Sequence, residues 1–227
     1  MPDTAPPFPA VLDDAAARAF LDASYPKPAP LVLAKDIGRI DEHMQRFIEM
    51  APFCCVATAD AAGNQDVTPR GDPHGAFKVL GPNLLALPDR PGNNRLDTLR
   101  NIVENPRIGL IFLVPGFGET VRVNGTAKLS TDPQLLASMA VEGKLPRAAI
   151  VVTVRQAFLH CAKAFHRSKL WDQDARVDRK SWPTLAKIIG DQVGLTPEQQ
   201  KAAHERTELA YREGLWAPLP PASQAGS

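Results

Sequence analysis

A short apolar strand stands directly before an amphipathic helix in this sequence, with a turn of proline, glycine and asparagine between them. Residues 84–87 predict the strand, and the apolar residues of 96–103 recur at helical spacing. Asn93 or Asn94 is expected to cap the helix, and the free N–H groups of a helix start favour an anion. Arg95 adds a cation that can bind phosphate through two hydrogen bonds. The stretch predicts either an anion site or an ordinary capped helix in a loop-rich connection.

The segments around this helix follow one another in a recognisable order. Residues 67–72 predict a strand that closes at Arg70, the helix stops at Asn105-Pro106, and residues 108–114 predict the next strand. This order resembles the pyridoxamine 5′-phosphate oxidase family of flavin-binding split β-barrels. Residues 104–107 match the ENPR helix stop of that family, and residues 119–129 are similar to its QVRVEG strand. The resemblance covers roughly residues 35–172.

The resemblance implies a mainly β fold with flanking helices. A six-stranded antiparallel split β-barrel that binds FMN is expected over residues 35–172. An N-terminal extension with a short helix, residues 1–34, precedes it, and a helical C-terminal extension with a loose tail, residues 173–227, follows. Strands are predicted at 53–58, 67–70, 77–80, 84–87, 108–114, 120–129 and 149–160. Helices are predicted at 13–21, 37–48, 96–103, 132–139, 182–193 and 196–214.

Composition narrows the classes of protein that fit. A chain of 227 residues, 44% of them hydrophobic, can bury a full core, and a formal net charge of +1 gives no reason to expect nucleic acid. No apolar run reaches membrane-spanning length, and the N-terminus lacks the features of a secretion signal. A cytoplasmic protein without a membrane partner is therefore expected. The three cysteines cannot form a disulfide framework, and we expect them to be small core residues.

FMN joins a dianionic phosphate to a flat ring, so its site needs cations at one end and polar contacts at the other. In the family, an arginine that closes a strand binds the phosphate, which implies this role for Arg70. Pro88 and Asp89 match positions that contact the ribityl chain or the ring edge, and Thr120 aligns with the family's glutamine. Arg122 lies two residues further on the same strand, where a solvent-exposed role is equally open. The candidate cofactor-binding residues are Arg70, Gly71, Asp72, Leu87, Pro88, Asp89, Asn93, Asn94, Arg95, Thr120, Arg122, Lys163, Arg167 and Ser168.

The last three of these candidates follow the most β-rich run of the sequence. Lys163 and Arg167 form an i, i+4 pair, and Ser168 adds a hydroxyl. The pair suits a phosphate or the N1–C2 carbonyl edge of a flavin, and a solvated basic turn is the competing interpretation. His160 and His166, with Cys161, are too few for a structural zinc site, so no metal is expected.

The resemblance implies an FMN-dependent oxidoreductase that passes a hydride between a small molecule and flavin N5. It also implies a homodimer, because the family holds its cofactor between two subunits. The vitamin oxidases carry a Ser-Arg-Lys cluster where this chain has residues 93–95, so FMN is better supported than pyridoxamine phosphate. No catalytic residue is assigned, although His166 is the best candidate for proton transfer. The alternatives are a protein that binds deazaflavin F420, one that binds haem through His160 or Cys161, and a flavin carrier or sensor without turnover.

Overall fold

The computed structural model describes residues 11–216, and the chain forms two compact units, Met1–Lys35 and Asp36–Ser227. The first unit contains helices α1 (Asp14–Ser24) and α2 (Pro30–Ala34). Asp13 caps α1 by accepting a hydrogen bond of 2.8 Å from the amide of Ala16, and this confirms the predicted first helix. Helix α2 was not predicted. The loose tail expected at the C-terminal end falls outside the described residues.

The second unit is built on one antiparallel sheet of seven strands in the order β2-β1-β5-β6-β7-β4-β3. The strands are β1 (Phe53–Ala59), β2 (Gln65–Gly71), β3 (Lys78–Gly81), β4 (Leu84–Asp89), β5 (Arg107–Leu113), β6 (Thr120–Ser130) and β7 (Ala148–His160). The resemblance implied six strands, and the structure has one more. Each of the seven coincides with a strand that the residue pattern predicted, so the expected fold class is confirmed.

Six further α-helices lie within residues 36–216. They are α3 (Glu42–Met50), α4 (Asp97–Glu104), α5 (Pro133–Ser138), α6 (Lys163–Ser168), α7 (Leu185–Val193) and α8 (Pro197–Glu213). Helix α3 begins later than predicted, because the side chain of Asp41 caps it by accepting from the amide of Met44 at 2.8 Å. Thr196 forms the predicted capping box with Gln199 at the start of α8. Among residues 11–216, no helix is both long and apolar enough to cross a membrane.

The core lies between the inward face of the sheet and α3. Phe77 and Phe112 meet edge to face with ring centroids 5.4 Å apart, and Ile48 of α3 is fully buried beside them. Cys54 belongs to the same core, as the sequence predicted, but Cys161 is exposed, and that part of the prediction was wrong. Cys161 is exposed because it follows the end of β7, beyond the core-facing positions of that strand.

Burial gives Cys54 a measurable pH dependence. Desolvation raises the pKa of its thiol to about 12, and the neighbouring Arg70 guanidinium offsets only part of that rise. Because the unfolded thiol loses its proton near pH 9.0 while the folded thiol retains it, stability falls as the pH rises from 9.0 towards 12. We expect this residue to contribute a loss of about 1.4 kcal/mol per pH unit in that window. Urea unfolding of wild type and Cys54→Ala across the window measures it, and equal pH slopes for the two proteins would contradict it.

A β-bulge separates the two halves of β7. Asn124 of β6 pairs with Gln156, whereas the next residue, Gly125, pairs with Val154, so that Arg155 is the additional residue on β7. Only glycine fits at 125, because a Cβ there would overlap the carbonyl oxygen of Thr153. The close approach of the two backbones at the bulge therefore requires glycine at position 125.

Candidate functional site

Two ion pairs connect strands that are not neighbours in the sheet. β2 forms one edge, and β4 lies next to the opposite edge, with four strands between them. Nevertheless, Nη1 of Arg70 lies 2.8 Å from Oδ1 of Asp89, and Nε of Arg90 lies 2.6 Å from Oδ2 of Asp72. The sheet must be rolled for these side chains to meet, so the two pairs bridge the split between the ends of β2 and β4.

A cleft of about 1020 Å³ opens at this split. Its walls come from β2, the end of β4, the turn at residues 91–96, the first turn of α4 and the segment before β7. This volume is at the upper end of the range for small-molecule pockets, roughly 300–1,000 Å³. The predicted cofactor residues that line the cleft are Arg70, Gly71, Asp72, Pro88, Asp89, Asn93, Asn94 and Arg95.

The remaining predicted residues do not line the cleft. Leu87 and Thr120 are buried within the sheet, and the guanidinium of Arg122 stacks on Phe158, 5.3 Å from the ring centroid. The other three are exposed on the short helix α6; they are Lys163, Arg167 and Ser168. A single chain thus places one group of the predicted residues around the cleft and leaves the other group outside it.

Arg70 is the cation best placed to bind a ligand. Its side chain is only 18% exposed, and its Nε atom is buried with no hydrogen-bond partner among residues 11–216. Buried polar atoms are nearly always paired in proteins, so an unpaired donor in a cleft wall needs an explanation. Arg70 lies opposite Cys54 in the β1–β2 register, and its Nη1 donates a hydrogen bond to the carboxylate of Asp89.

Asp72 has both carboxylate oxygens in use. Oδ2 accepts from Arg90, and Oδ1 accepts from the indole of Trp216 at 3.0 Å. Arg90 also donates to the carbonyl oxygen of Met139 at 2.6 Å and to that of Lys144 at 3.4 Å. Asp72 therefore serves as a buried junction between segments, and its part in cofactor binding stays a prediction.

The turn before α4 differs from the prediction. Asn94 and Leu96 both have left-handed backbone angles, with φ near +61°, and α4 begins only at Asp97. Asn93 accepts a hydrogen bond from the amide of Arg95 at 3.1 Å instead of capping the helix, so the predicted asparagine cap was wrong. The left-handed residues turn the chain before the helix starts and leave its first N–H groups without a side-chain cap.

Of Arg70, Arg90 and Arg95, Arg95 has the most exposed side chain. Its side chain is 73% exposed, and its Nε donates to Asp97 at 2.7 Å. This hydrogen bond and the charge of Asp97 raise the pKa of Arg95, which keeps it cationic. An exposed ion pair of this kind contributes little to stability, so Arg95 can exchange its carboxylate for a ligand at low cost.

The ENPR segment has a structural role. Oε2 of Glu104 accepts from the amide of Ala61 at 3.3 Å, and the side-chain amide of Asn105 donates to the carbonyl of Asp60 at 3.4 Å. None of residues 104–107 lines the cleft. The segment therefore ties the end of α4 to the turn between β1 and β2 and acts on the cleft only by fixing that helix.

The sequence analysis missed Arg90 and Trp216. Arg90 directly follows Asp89, and a cation beside a predicted site residue at a strand end was the available signal. No local pattern indicated that Trp216 would meet a residue 144 positions earlier. Within residues 11–216, no group of three or more His, Cys, Asp or Glu side chains is arranged to hold a metal ion.

The rolled antiparallel sheet with a cleft at its split defines a split-barrel protein. Residues 40–161, more than half of the chain, match the family model described as pyridoxamine 5′-phosphate oxidase. The chain belongs to the pyridoxamine 5′-phosphate oxidase family, and the resemblance read from residues 67–129 is confirmed. A search of curated proteins found no match.

Several solved structures are similar at low identity. HupZ from Group A Streptococcus is 20% identical with a TM-score of 0.44, covering 53% of this chain and 93% of that one. An F420 reductase is 17% identical with a TM-score of 0.39, covering 53% and 98% respectively. General Stress Protein 26 from Bacillus anthracis is 12% identical with a TM-score of 0.39, covering 52% and 93%. The activity of this chain has to be argued from its own residues.

Proposed function

We propose that the cleft binds FMN and that the protein is an FMN-dependent oxidoreductase acting on a small molecule. The observation that carries the proposal is Arg70 in the wall of a cleft of about 1020 Å³: its side chain is 18% exposed, and among residues 11–216 its buried Nε has no hydrogen-bond partner. A phosphate would bind the exposed part of this guanidinium, and a rotation of the Arg70 side chain would let Nε donate to a second phosphate oxygen. Membership of the pyridoxamine 5′-phosphate oxidase family supports the choice of FMN.

The start of α4 is a second feature that supports a phosphate beside Arg70. Thr98 and Leu99 of its first turn line the cleft, and the helix has no side-chain cap. Free N–H groups and the positive end of a helix dipole favour an anion. The hydroxyl of Thr98 donates to Asp66 at 3.2 Å, so one carboxylate oxygen of this cleft residue already has a partner.

Apolar side chains of the same cleft suit a flat ring. Phe77, Leu99 and Leu145 line it, and prolines 88 and 91 add rigid apolar surface without amide donors. Phe77 is held in place by its contact with Phe112. These residues would orient the ring and exclude water from one of its faces.

FMN supplies, when bound, the acceptance and return of a hydride at its N5 atom. The residues of this chain bind and orient it: Arg70 and the start of α4 at the phosphate, and Phe77 and Leu145 at the ring. His166, the candidate for proton transfer, lies exposed in α6 and does not line the cleft. No catalytic acid or base is therefore assigned from this chain.

The proposed assembly is a homodimer with the cofactor between the subunits. Of the residues left outside the cleft, the exposed ones are those that a second copy would have to contribute; they are Arg122, Lys163, Arg167 and Ser168. Sedimentation of the FMN-loaded protein tests this arrangement, and a clean monomer at micromolar concentration would contradict it.

Equilibrium titration of ligand-free protein with FMN and with riboflavin tests the function. We expect saturable binding of FMN and weaker binding of riboflavin, because riboflavin lacks the phosphate that Arg70 would hold. The absorption spectrum of the purified protein separates FMN from deazaflavin F420 and from haem. Absence of saturable FMN binding would end the proposal. If the protein bound FMN but no electron donor reduced the bound FMN, the protein would be a flavin carrier or sensor without turnover.

A further inference from the structure

The C-terminal end of the described chain returns to the cleft. Trp216 lies just beyond α8, and its indole Nε1 donates to Oδ1 of Asp72 at 3.0 Å. The Asp72 side chain is 1% exposed and lines the cleft. Its other oxygen holds Arg90, which in turn donates to the carbonyls of Met139 and Lys144. One buried carboxylate thus joins the end of β2, the end of β4, the segment after α5 and the C-terminus.

The residues of this junction are close neighbours in sequence of the residues proposed to form the phosphate site. Asp72 lies two residues after Arg70, and Arg90 directly follows Asp89, the carboxylate that pairs with Arg70. Any movement of Asp72 and Arg90 therefore moves the two strand ends that carry Arg70 and Asp89. Hydrogen bonds to a buried carboxylate also fix its orientation, and here Arg90 and Trp216 hold one oxygen each.

We propose that Trp216 is a positioning residue of the cofactor cleft. It holds Asp72, and through Asp72 it holds Arg90 and the two strand ends at the split, so that the C-terminal extension sets how tightly the cleft retains its anionic ligand. The inference rests on the proposed binding of FMN. It assigns to Trp216 no contact with the cofactor, since the residue acts through Asp72.

Loss of the indole N–H has a defined consequence. Oδ1 of Asp72 is left without its donor in a wall that excludes water, and the carboxylate must turn towards the cleft to regain a partner. A carboxylate turned towards the cleft repels an anion and loosens Arg90. The expected result is weaker binding of FMN and faster release, with a smaller loss of global stability than removal of Arg90 would cause, because Asp72 keeps its cation.

The test compares Trp216→Phe with Trp182→Phe in the full-length protein. Trp182 is also in the C-terminal extension, but its side chain is 66% exposed and does not line the cleft. We expect Trp216→Phe to weaken FMN binding by about tenfold, mainly through a faster dissociation rate, with a smaller drop in the urea midpoint than Arg90→Met causes. Trp182→Phe should change neither quantity. Equal FMN affinity in wild type and Trp216→Phe would overturn the inference while the proposed function stands.

A measurement on the ligand-free protein separates the two proposals. Hydrogen exchange of the amides at residues 70–72 and 89–91 should be faster in Trp216→Phe than in wild type, and unchanged in Trp182→Phe. Faster exchange supports the positioning role even if wild-type protein fails to bind FMN, a failure that would remove the proposed function alone. Unchanged exchange at both segments would overturn the positioning role whatever the ligand.

Discussion

Arg90→Met is expected to lower the free energy of unfolding by about 3–5 kcal/mol, the usual cost of removing one member of a buried ion pair. The substitution keeps the aliphatic stem but leaves the Asp72 carboxylate, 1% exposed, without a cation. It also leaves the carbonyls of Met139 and Lys144 without the guanidinium that joins them to the split. Urea denaturation followed by circular dichroism measures the loss.

The matched control for this prediction is Arg95→Met. The Arg95–Asp97 pair has almost the same length, 2.7 Å against 2.6 Å, but its side chains are 73% and 39% exposed. Solvent screens such a pair, so its loss should change stability far less than the loss of Arg90 does. Adding Asp72→Asn to Arg90→Met should restore part of the stability, because the unpaired charge is gone. Equal losses in Arg90→Met and Arg95→Met would show that burial does not distinguish these pairs.

Arg70→Met is expected to weaken FMN binding by about ten- to a hundredfold, the effect of losing a hydrogen bond worth roughly 1.5–3 kcal/mol to a charged group. Riboflavin should bind the wild type and this variant almost equally, since Arg70 is assigned to the phosphate. Arg95→Met should have a smaller effect on FMN because Arg95 is exposed to solvent and water screens its charge. Fluorescence titration of each protein with both ligands measures these differences.

Asp89→Asn should act in the opposite direction. It removes the carboxylate that takes up Nη1 of Arg70, so more of the positive charge of Arg70 is available to a phosphate. FMN should bind more tightly, and riboflavin should be unaffected. If Asp89→Asn weakened both ligands alike, Asp89 would itself contact the ribityl chain or the ring, as the family resemblance implied. If Arg70→Met weakened riboflavin as much as FMN, the phosphate would have to be sought elsewhere.

Most of the fold followed from local patterns. The apolar runs at 108–114 and 149–160 and the alternation at 120–129 predicted three central strands, because side chains in a strand alternate between two faces. The start of α4 did not follow. Helix propensity and the two asparagines suggested a cap at 93 or 94, but left-handed angles at Asn94 and Leu96 delay the helix to Asp97. Those angles depend on how the turn meets the rest of the cleft, which no local pattern encodes.

The residues of the site were likewise only partly predictable from the sequence. Arg70 and Asp89 were identified by resemblance, and both line the cleft, although their role in binding remains a prediction. Arg90 and Trp216 were missed, because their contacts join residues 18 and 144 positions apart in the chain. Salt bridges and single hydrogen bonds over such distances leave no periodicity in a sequence. Only the closure of the sheet brings these side chains together.

The bulge at Arg155 has a consequence for how this chain tolerates change. Before it, the β7 side chains of the main core are even-numbered, at Ile150, Val152 and Val154, whereas after it the odd-numbered Ala157 faces that core. Arg155 is therefore an inserted residue that changes which positions of the strand face inward. Deletion of Arg155 would restore an unbroken alternation and leave Ala157 on the inner face. A lineage can therefore lose this residue and still keep every later side chain of the strand on its present face.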